Sequence, residues 1–214
     1  MRKELTTCHV LTMSYMEGLG LNEWLATNLD QASKTQVAQT LNDIFVRGFY
    51  ELYLIHADPN PGNFLISENC EVSLLDFGCV RSFDPAFVEM YQALVRLGGS
   101  HDKDAFRAIL IRMKLITPEF DEKIGDKLLA LFMEIGDWFS LLFQNPEFDF
   151  GANPDFMEKG REIGMKMHQF HRHIHRINPE FIFLDRTRYG LMRLFEKMKV
   201  KINIQNQYEY CKGG

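Results

Sequence analysis

No run of apolar residues reaches the roughly 18 that a membrane-spanning helix needs, so a helical span within these 214 residues is excluded. The opening stretch, MRKELTTCHVLTMSYMEG, is polar at positions 4, 6, 7 and 9 and does not read as the apolar core of a secretory signal. Cysteine is scarce: Cys8, Cys70, Cys79 and Cys211 lie far apart and form no CxxC pair. That spacing excludes a zinc ribbon or disulfide framework and fits free thiols in a reducing compartment. Positive charge is in deficit, with 24 Lys and Arg against 29 Asp and Glu, which argues against a nucleic-acid binder. Internal repeats and low-complexity tracts are absent too. What is present is an ordinary globular composition, 46% hydrophobic and 25% charged, long enough for one domain or most of a larger one. Eighteen phenylalanines predict a core or a binding groove rich in rings.

Residues 9–16 (HVLTMSYM) read as a buried strand, and 22–27 as a short helix. Asp30 is placed to cap a long helix to about residue 54, with Val37, Leu41, Ile44, Phe45 and Phe49 at helical spacing. The runs NFLI and VSLLDF, separated by SENC, predict a β-hairpin. Apolar residues then recur at helical spacing over 87–97, 105–115, 124–143, 156–171 and 191–198; Leu191, Leu194, Phe195 and Met198 share one face. Between them, 144–155 (QNPEFDFGANPD) reads as the longest irregular stretch, because its two Asn-Pro steps break helix.

The informative segment is HADPNPGNFLI, residues 56–66, followed eight residues on by LLDFGCV, residues 74–80. Phosphoryl transfer needs metal ions on the phosphates, an acid that orients the attacking hydroxyl, and fixed positions for all of them. In protein kinases an Asp of the catalytic loop, an Asn five residues later and the Asp of Asp-Phe-Gly fill these roles. Here Asp58 precedes Asn63 by five residues, and Asp76-Phe77-Gly78 lies beyond the hairpin. A hairpin folds the chain back, so Asn63 and Asp76 are expected to meet at one magnesium ion, which takes oxygen ligands. Pro59 and Pro61 stiffen the loop, and Gly62 tolerates unusual backbone geometry.

HADPNPGN with LLDFG, preceded by ELTTCHVLTMSYMEG and followed by DRTRYGLMRLF, resembles the AarF/UbiB family of atypical kinases, the ADCK-type proteins. The family's loop is close to His-Ala-Asp-Pro-His-Pro-Gly-Asn, and Asn60 replaces its fifth residue. The resemblance runs from about residue 4 to 194. It implies a mainly α fold with a small β-hairpin, the C-terminal lobe of a protein-kinase-like domain with the N-terminal lobe largely absent. Residues 1–20 would be the hinge strand and a remnant of the N-terminal lobe, 21–201 the helical lobe and 202–214 a tail. It implies Asp58 as the catalytic-loop acid, Asn63 and Asp76 as ligands of Mg2+ and of the ATP that the metal carries, and His56 as a brace. Met13, Ser14, Tyr15 and Met16 would be the hinge against adenine, with Ser14 where an acid is more usual.

The resemblance also implies parts that this sequence does not contain: the phosphate-covering loop, the strand lysine and the helix glutamate of the N-terminal lobe. The expectation is a fragment or shortened form of a longer protein, or else a stand-alone helical lobe with a partner covering the N-terminal strand, and in either case weak or absent catalysis alone. The implied function is an atypical kinase or ATPase module supporting ubiquinone or other isoprenoid-lipid biosynthesis, with an isoprenoid lipid or quinone precursor as partner. The implied place is the cytoplasm or a membrane periphery, on the mitochondrial matrix side if the protein is eukaryotic. The alternative is a non-catalytic kinase-like scaffold. An aminoglycoside- or choline-type phosphotransferase shares the loop logic, but not the Ala-Asp-Pro-x-Pro-Gly-Asn wording.

Other motifs have plainer readings. His168, His171 and His175 fall on one helical face, but no acid or cysteine joins them, so a solvated face is expected rather than a metal site. Residues 160–201 hold ten Lys or Arg against four Asp or Glu, suited to an anionic lipid surface or equally to a solvated face. Asp185 is expected to cap a helix, Arg186 and Arg188 to pair with core acids, and Cys79 to be buried.

Overall fold

The structure is a computed structural model, and it describes residues 1–27, 29–58, 60–116, 122–170 and 179–210. Seven α-helices dominate the described residues: α1 (Leu21–Ala26), α2 (Gln31–Glu51), α3 (Pro85–Leu97), α4 (Lys103–Arg112), α5 (Glu122–Ser140), α6 (Phe156–Lys166) and α7 (Pro179–Met198). Their starts follow local chemistry. Asp30, Asp84 and Asp102 accept backbone N–H groups of Ser33, Ala86 and Ala105 and satisfy donors that a helix leaves orphaned. Pro85 occupies the first helical position, where its missing N–H costs nothing.

Three small antiparallel sheets hold the non-helical parts. β1 (Leu19–Gly20), β3 (Phe64–Ile66) and β4 (Val72–Leu74) form one sheet in the order β1-β3-β4. β2 (Leu54–His56) pairs with β5 (Val80–Ser82), and β6 (Glu147–Asp149) with β7 (Lys201–Asn203). The expected hairpin is β3–β4, with Phe64 opposite Leu74 and Ile66 opposite Val72. The irregular stretch 144–155 contains β6, because Phe148 and Phe150 carry it into the core against Ile202.

The strand expected over residues 9–16 does not form. A strand needs a neighbour for its N–H and C=O groups, and none of the described residues supplies one. The first twelve residues fold on themselves instead: Arg2 N–H donates to Thr12 O at 2.8 Å, and the Thr12 hydroxyl to Leu5 O at 2.7 Å. Threonine hydroxyls offer such local alternatives to a ladder. Val10, Leu11 and Met13 to Met16 are exposed as a result, Tyr15 by 88%.

The rings expected from composition line the core. Phe49 meets Tyr50, Phe83 and Tyr91 edge-to-face at 4.8–5.5 Å, a geometry that ring quadrupoles favour. A second group joins Trp138, Phe148, Phe150, Phe156 and Phe195. Sequence reasoning set 202–214 apart as a tail, but its described part is anchored. Ile202 and Ile204 are buried, the Gln39 side-chain amide bonds both backbone groups of Asn203, and Tyr208 stacks on Tyr50 at 4.8 Å.

Glu209 closes this segment. It receives the Tyr50 hydroxyl at 2.7 Å and the Asn206 amide at 2.9 Å, and it is paired with Arg188, whose guanidinium also donates to the Tyr91 hydroxyl at 3.1 Å. Burial works against the Arg188 charge, but Glu209 and the tyrosine oxygens outweigh it and raise its pKa. Burial pushes the Tyr91 phenol up to about 12 and holds Tyr50 above the usual range as well. The network ties α2, α3, α7 and the C-terminal segment together. It meets the expectation that Arg188 pairs with a core acid. Asp185, by contrast, lies inside α7 and caps nothing, because α7 already begins at Pro179.

Candidate functional site

The site is sewn from two loops. The first, residues 57–63, leaves β2 and ends in the 3-10 turn Pro61–Asn63; Asn60 caps that turn by accepting Gly62 N–H at 3.0 Å. The second, residues 75–79, leaves β4 and ends in the 3-10 turn Phe77–Cys79, capped by Asp76 Oδ1 accepting Gly78 N–H at 3.1 Å. β2 pairs with β5 and β3 with β4, so both ends of each loop are held by ladders. Backbone bonds join them directly: Leu75 N–H to Asn63 O at 2.8 Å and Ala57 N–H to Cys79 O at 3.1 Å.

His56 adds the expected brace across the loops. Its Nε2 lies 2.9 Å from Asp76 O and 3.1 Å from Leu75 O. Carbonyls only accept, so Nε2 carries the proton; Nδ1 is buried without a hydrogen-bond partner among the described residues. The ring is thereby fixed as a support for the Asp76 backbone. Asp76 itself sits at φ 52°, ψ 80°, a left-handed conformation that costs an ordinary residue about 1–2 kcal/mol.

Asp58 and Asn63 are half-buried and meet directly, with Asn63 Nδ2 donating to Asp58 Oδ2 at 2.8 Å. That bond fixes which end of the amide is which. It leaves Asn63 Oδ1 free to face a cation, while Asp76 keeps its Oδ2 beyond the bond that its Oδ1 receives. Asn63 precedes Phe64, and Asp76 follows Leu74 by two residues, so the Phe64–Leu74 pairing brings their backbones to one hairpin end. The donors are all oxygens, a set that suits magnesium. No group of three His, Cys, Asp or Glu fit for a metal occurs among the described residues. Protein donors here are few, as in sites where phosphate oxygens and water complete the shell.

Met13, Ser14, Tyr15 and Met16, expected as a hinge, are not joined to this cluster by any hydrogen bond among the described residues. They run extended and exposed towards β1, which carries the chain onto β3. Gly18 makes that approach feasible: its φ is 148°, and a Cβ there would lie 2.8 Å from Ile66 O. Pro59, His171 and His175 lie outside the described residues, and so does the side chain of His168, whose backbone is in the 3-10 turn Met167–Phe170. Cys79, expected to be buried, is exposed beside the Asp-Phe-Gly turn. Sequence reasoning missed the β2–β5 ladder, whose three-residue strands carry too little alternation to be recognised.

Half of the ten cations in the basic stretch 160–201 are paired. Arg161, Lys166, Arg188, Arg193 and Lys201 pair with Glu158, Glu134, Glu209, Glu196 and Glu147. No described helix is long and apolar enough to cross a membrane.

The fold is shared with solved proteins. A chain from the structure titled "The complex structure of Rv3197-erythromycin from Mycobacterium tuberculosis" superposes with a TM-score of 0.60 over 89% of this chain and 46% of that one, at 17% identity. By sequence, "Atypical kinase COQ8B, mitochondrial" of Rattus norvegicus is 28% identical over 83% of this chain and 32% of its own length. "AarF domain-containing protein kinase 1" of Xenopus tropicalis is 34% identical over 43% of this chain and 19% of its own. The chain thus spans about a third of the length of these relatives or less. The ABC1 atypical kinase-like domain matches residues 1–109, just over half of the sequence, and the chain belongs to that family. The AarF/UbiB resemblance of the loop is therefore borne out.

Proposed function

We propose that the chain is the C-terminal lobe of a kinase-like domain and that it binds ATP through a magnesium ion held by Asn63 and Asp76. Asp58 is the acid beside the reacting phosphate; it orients an attacking hydroxyl or water and is itself held by Asn63. Magnesium, when bound, draws charge from the phosphate oxygens. The observation that carries this reading is the Asn63–Asp58 bond, which frees Asn63 Oδ1 at the hairpin end shared with Asp76. Met13 to Met16 would lie along the adenine.

Turnover by this chain alone is expected to be weak or absent, because the lysine and phosphate-covering loop that stabilise the transferring phosphoryl group in kinases are not in this sequence. In the full protein the module would serve ubiquinone or other isoprenoid-lipid synthesis, a role supported by its family and not by any residue of the site. Contact with anionic lipid is the weaker part, since five cations of the basic stretch are paired. Equal flotation with neutral and anionic liposomes would remove it. Calorimetric titration tests the core of the proposal. ATP with magnesium should bind, and binding should fall at least tenfold with chelator or in Asp76→Asn. Equal binding without magnesium would favour the scaffold reading instead.

A further inference from the structure

The helical body holds a second cavity, of about 440 Å3, that shares no lining residue with the loops of the site. It opens between α3, α5, α6 and α7 and is walled by rings: Tyr91, Phe132, Trp138, Phe139, Phe181 and Tyr189. Its origin is visible on α6. At Gly160 the helix presses on Trp138, where a Cβ would come within 2.3 Å of the ring; one turn on, a Cβ at Gly164 would meet nothing within 4 Å. The helices touch at the first glycine and part at the second.

Three charged residues face the space: Arg161, Asp185 and Arg188. Arg161 is paired with Glu158, and Arg188 with Glu209 and the Tyr91 hydroxyl. The Asp185 side chain forms no hydrogen bond or ion pair among the described residues. Protein atoms crowd its carboxyl and push its pKa up, with Arg188 pulling the other way, yet the side chain remains reachable from open space. Crowded and reachable together describe a concave wall. Both arginines are paired with glutamates, and Asp185, which Arg188 also attracts, stands exposed at the mouth of this ring-walled space as its acid without a side-chain partner of its own among the described residues. A positive group is what such a cage attracts, through the carboxylate and through the ring faces.

We propose that this cavity binds a small organic cation: an amine on an apolar body of phenylalkyl size. Its volume is within the range of small-molecule sites. The site would lie apart from the ATP loops and joins the same helix, α7, whose opposite side backs the groove beside His56 through Thr187 and Leu191.

The test titrates the full chain with phenylbutylamine, phenylbutanol and phenylbutanoate, read by tryptophan fluorescence and by the Trp138 indole N–H signal, which donates to Phe156 O. The amine should bind at least tenfold more tightly than the alcohol, and the acid least. Asp185→Asn should reduce the amine to the affinity of the alcohol, and Gly164→Leu, which fills the space, should abolish both. Equal affinities for the three probes, tightest binding of the acid, or an unchanged affinity in Asp185→Asn would overturn the proposal. Should either variant fail to fold by circular dichroism, shift mapping on the wild-type chain decides. Amine-induced shifts at Trp138 and Gly164 support the site, and none at millimolar amine refutes it.

Discussion

The two halves of the molecule treat apolar surface in opposite ways. Thirteen of the seventeen exposed large hydrophobics among the described residues lie before residue 78, most of them in the N-terminal segment and the loops. The helical body, which includes α2, encloses its rings and closes with a buried ion pair. Apolar surface gathered on one side marks a face meant to be covered, whereas the body is finished on its own. The consequence is that stability and function should be separable by region.

The sharpest break would come from the body. Arg188→Met leaves Glu209 buried and unpaired, which should cost about 3–5 kcal/mol by chemical denaturation; Arg188→Met with Glu209→Gln should cost less than the single change. Phe49→Ala, at 0% exposure, should cost a similar ~3–5 kcal/mol. Next in size is a pH effect. The Tyr50 and Tyr91 phenols hold their protons more tightly folded than unfolded, Tyr91 to about 12, whereas a free tyrosine titrates near 10. The stability they contribute is complete below about pH 10 and declines as pH rises from there to about 12. Denaturation at stepped alkaline pH should show that decline, and Tyr91→Phe should lessen it, leaving the part that Tyr50 contributes. The smallest effect belongs to the open half: Phe77→Ala, at 65% exposure, should change stability by less than about 1 kcal/mol. A large loss there would mean that the loop face is part of the core and that the contrast is false.

The legible and illegible parts of the sequence divide along the same line. Long helices were readable because periodicity accumulates over many turns and because Asp30 and Asp84 sit where caps are needed. The hairpin was readable from two apolar runs and a turn. Residues 9–16 misled because apolar alternation marks a strand only where a ladder partner exists, and that is a property of the neighbours. β2, β5, β6 and β7 are three residues each and are set by contacts distant in sequence. In the candidate site, spacing and family resemblance pointed to Asp58, Asn63 and Asp76, and the structure joins the first two by a hydrogen bond. The orientation of the Asn63 amide and the His56 bonds to the Asp76 carbonyl needed coordinates. Glu209, the buried partner of Arg188, carried no signal, since a lone acid near a chain end resembles any solvated residue.

Manganese binding followed by electron paramagnetic resonance tests the shared-ion arrangement most directly, with Mn2+ replacing Mg2+ in the presence of ATP. The account predicts a bound, nucleotide-dependent ion in the wild-type chain that is lost in both Asn63→Ala and Asp76→Asn, with circular dichroism unchanged. An ion that binds equally well in either variant would show that the two loops do not meet at a metal, and would contradict the account.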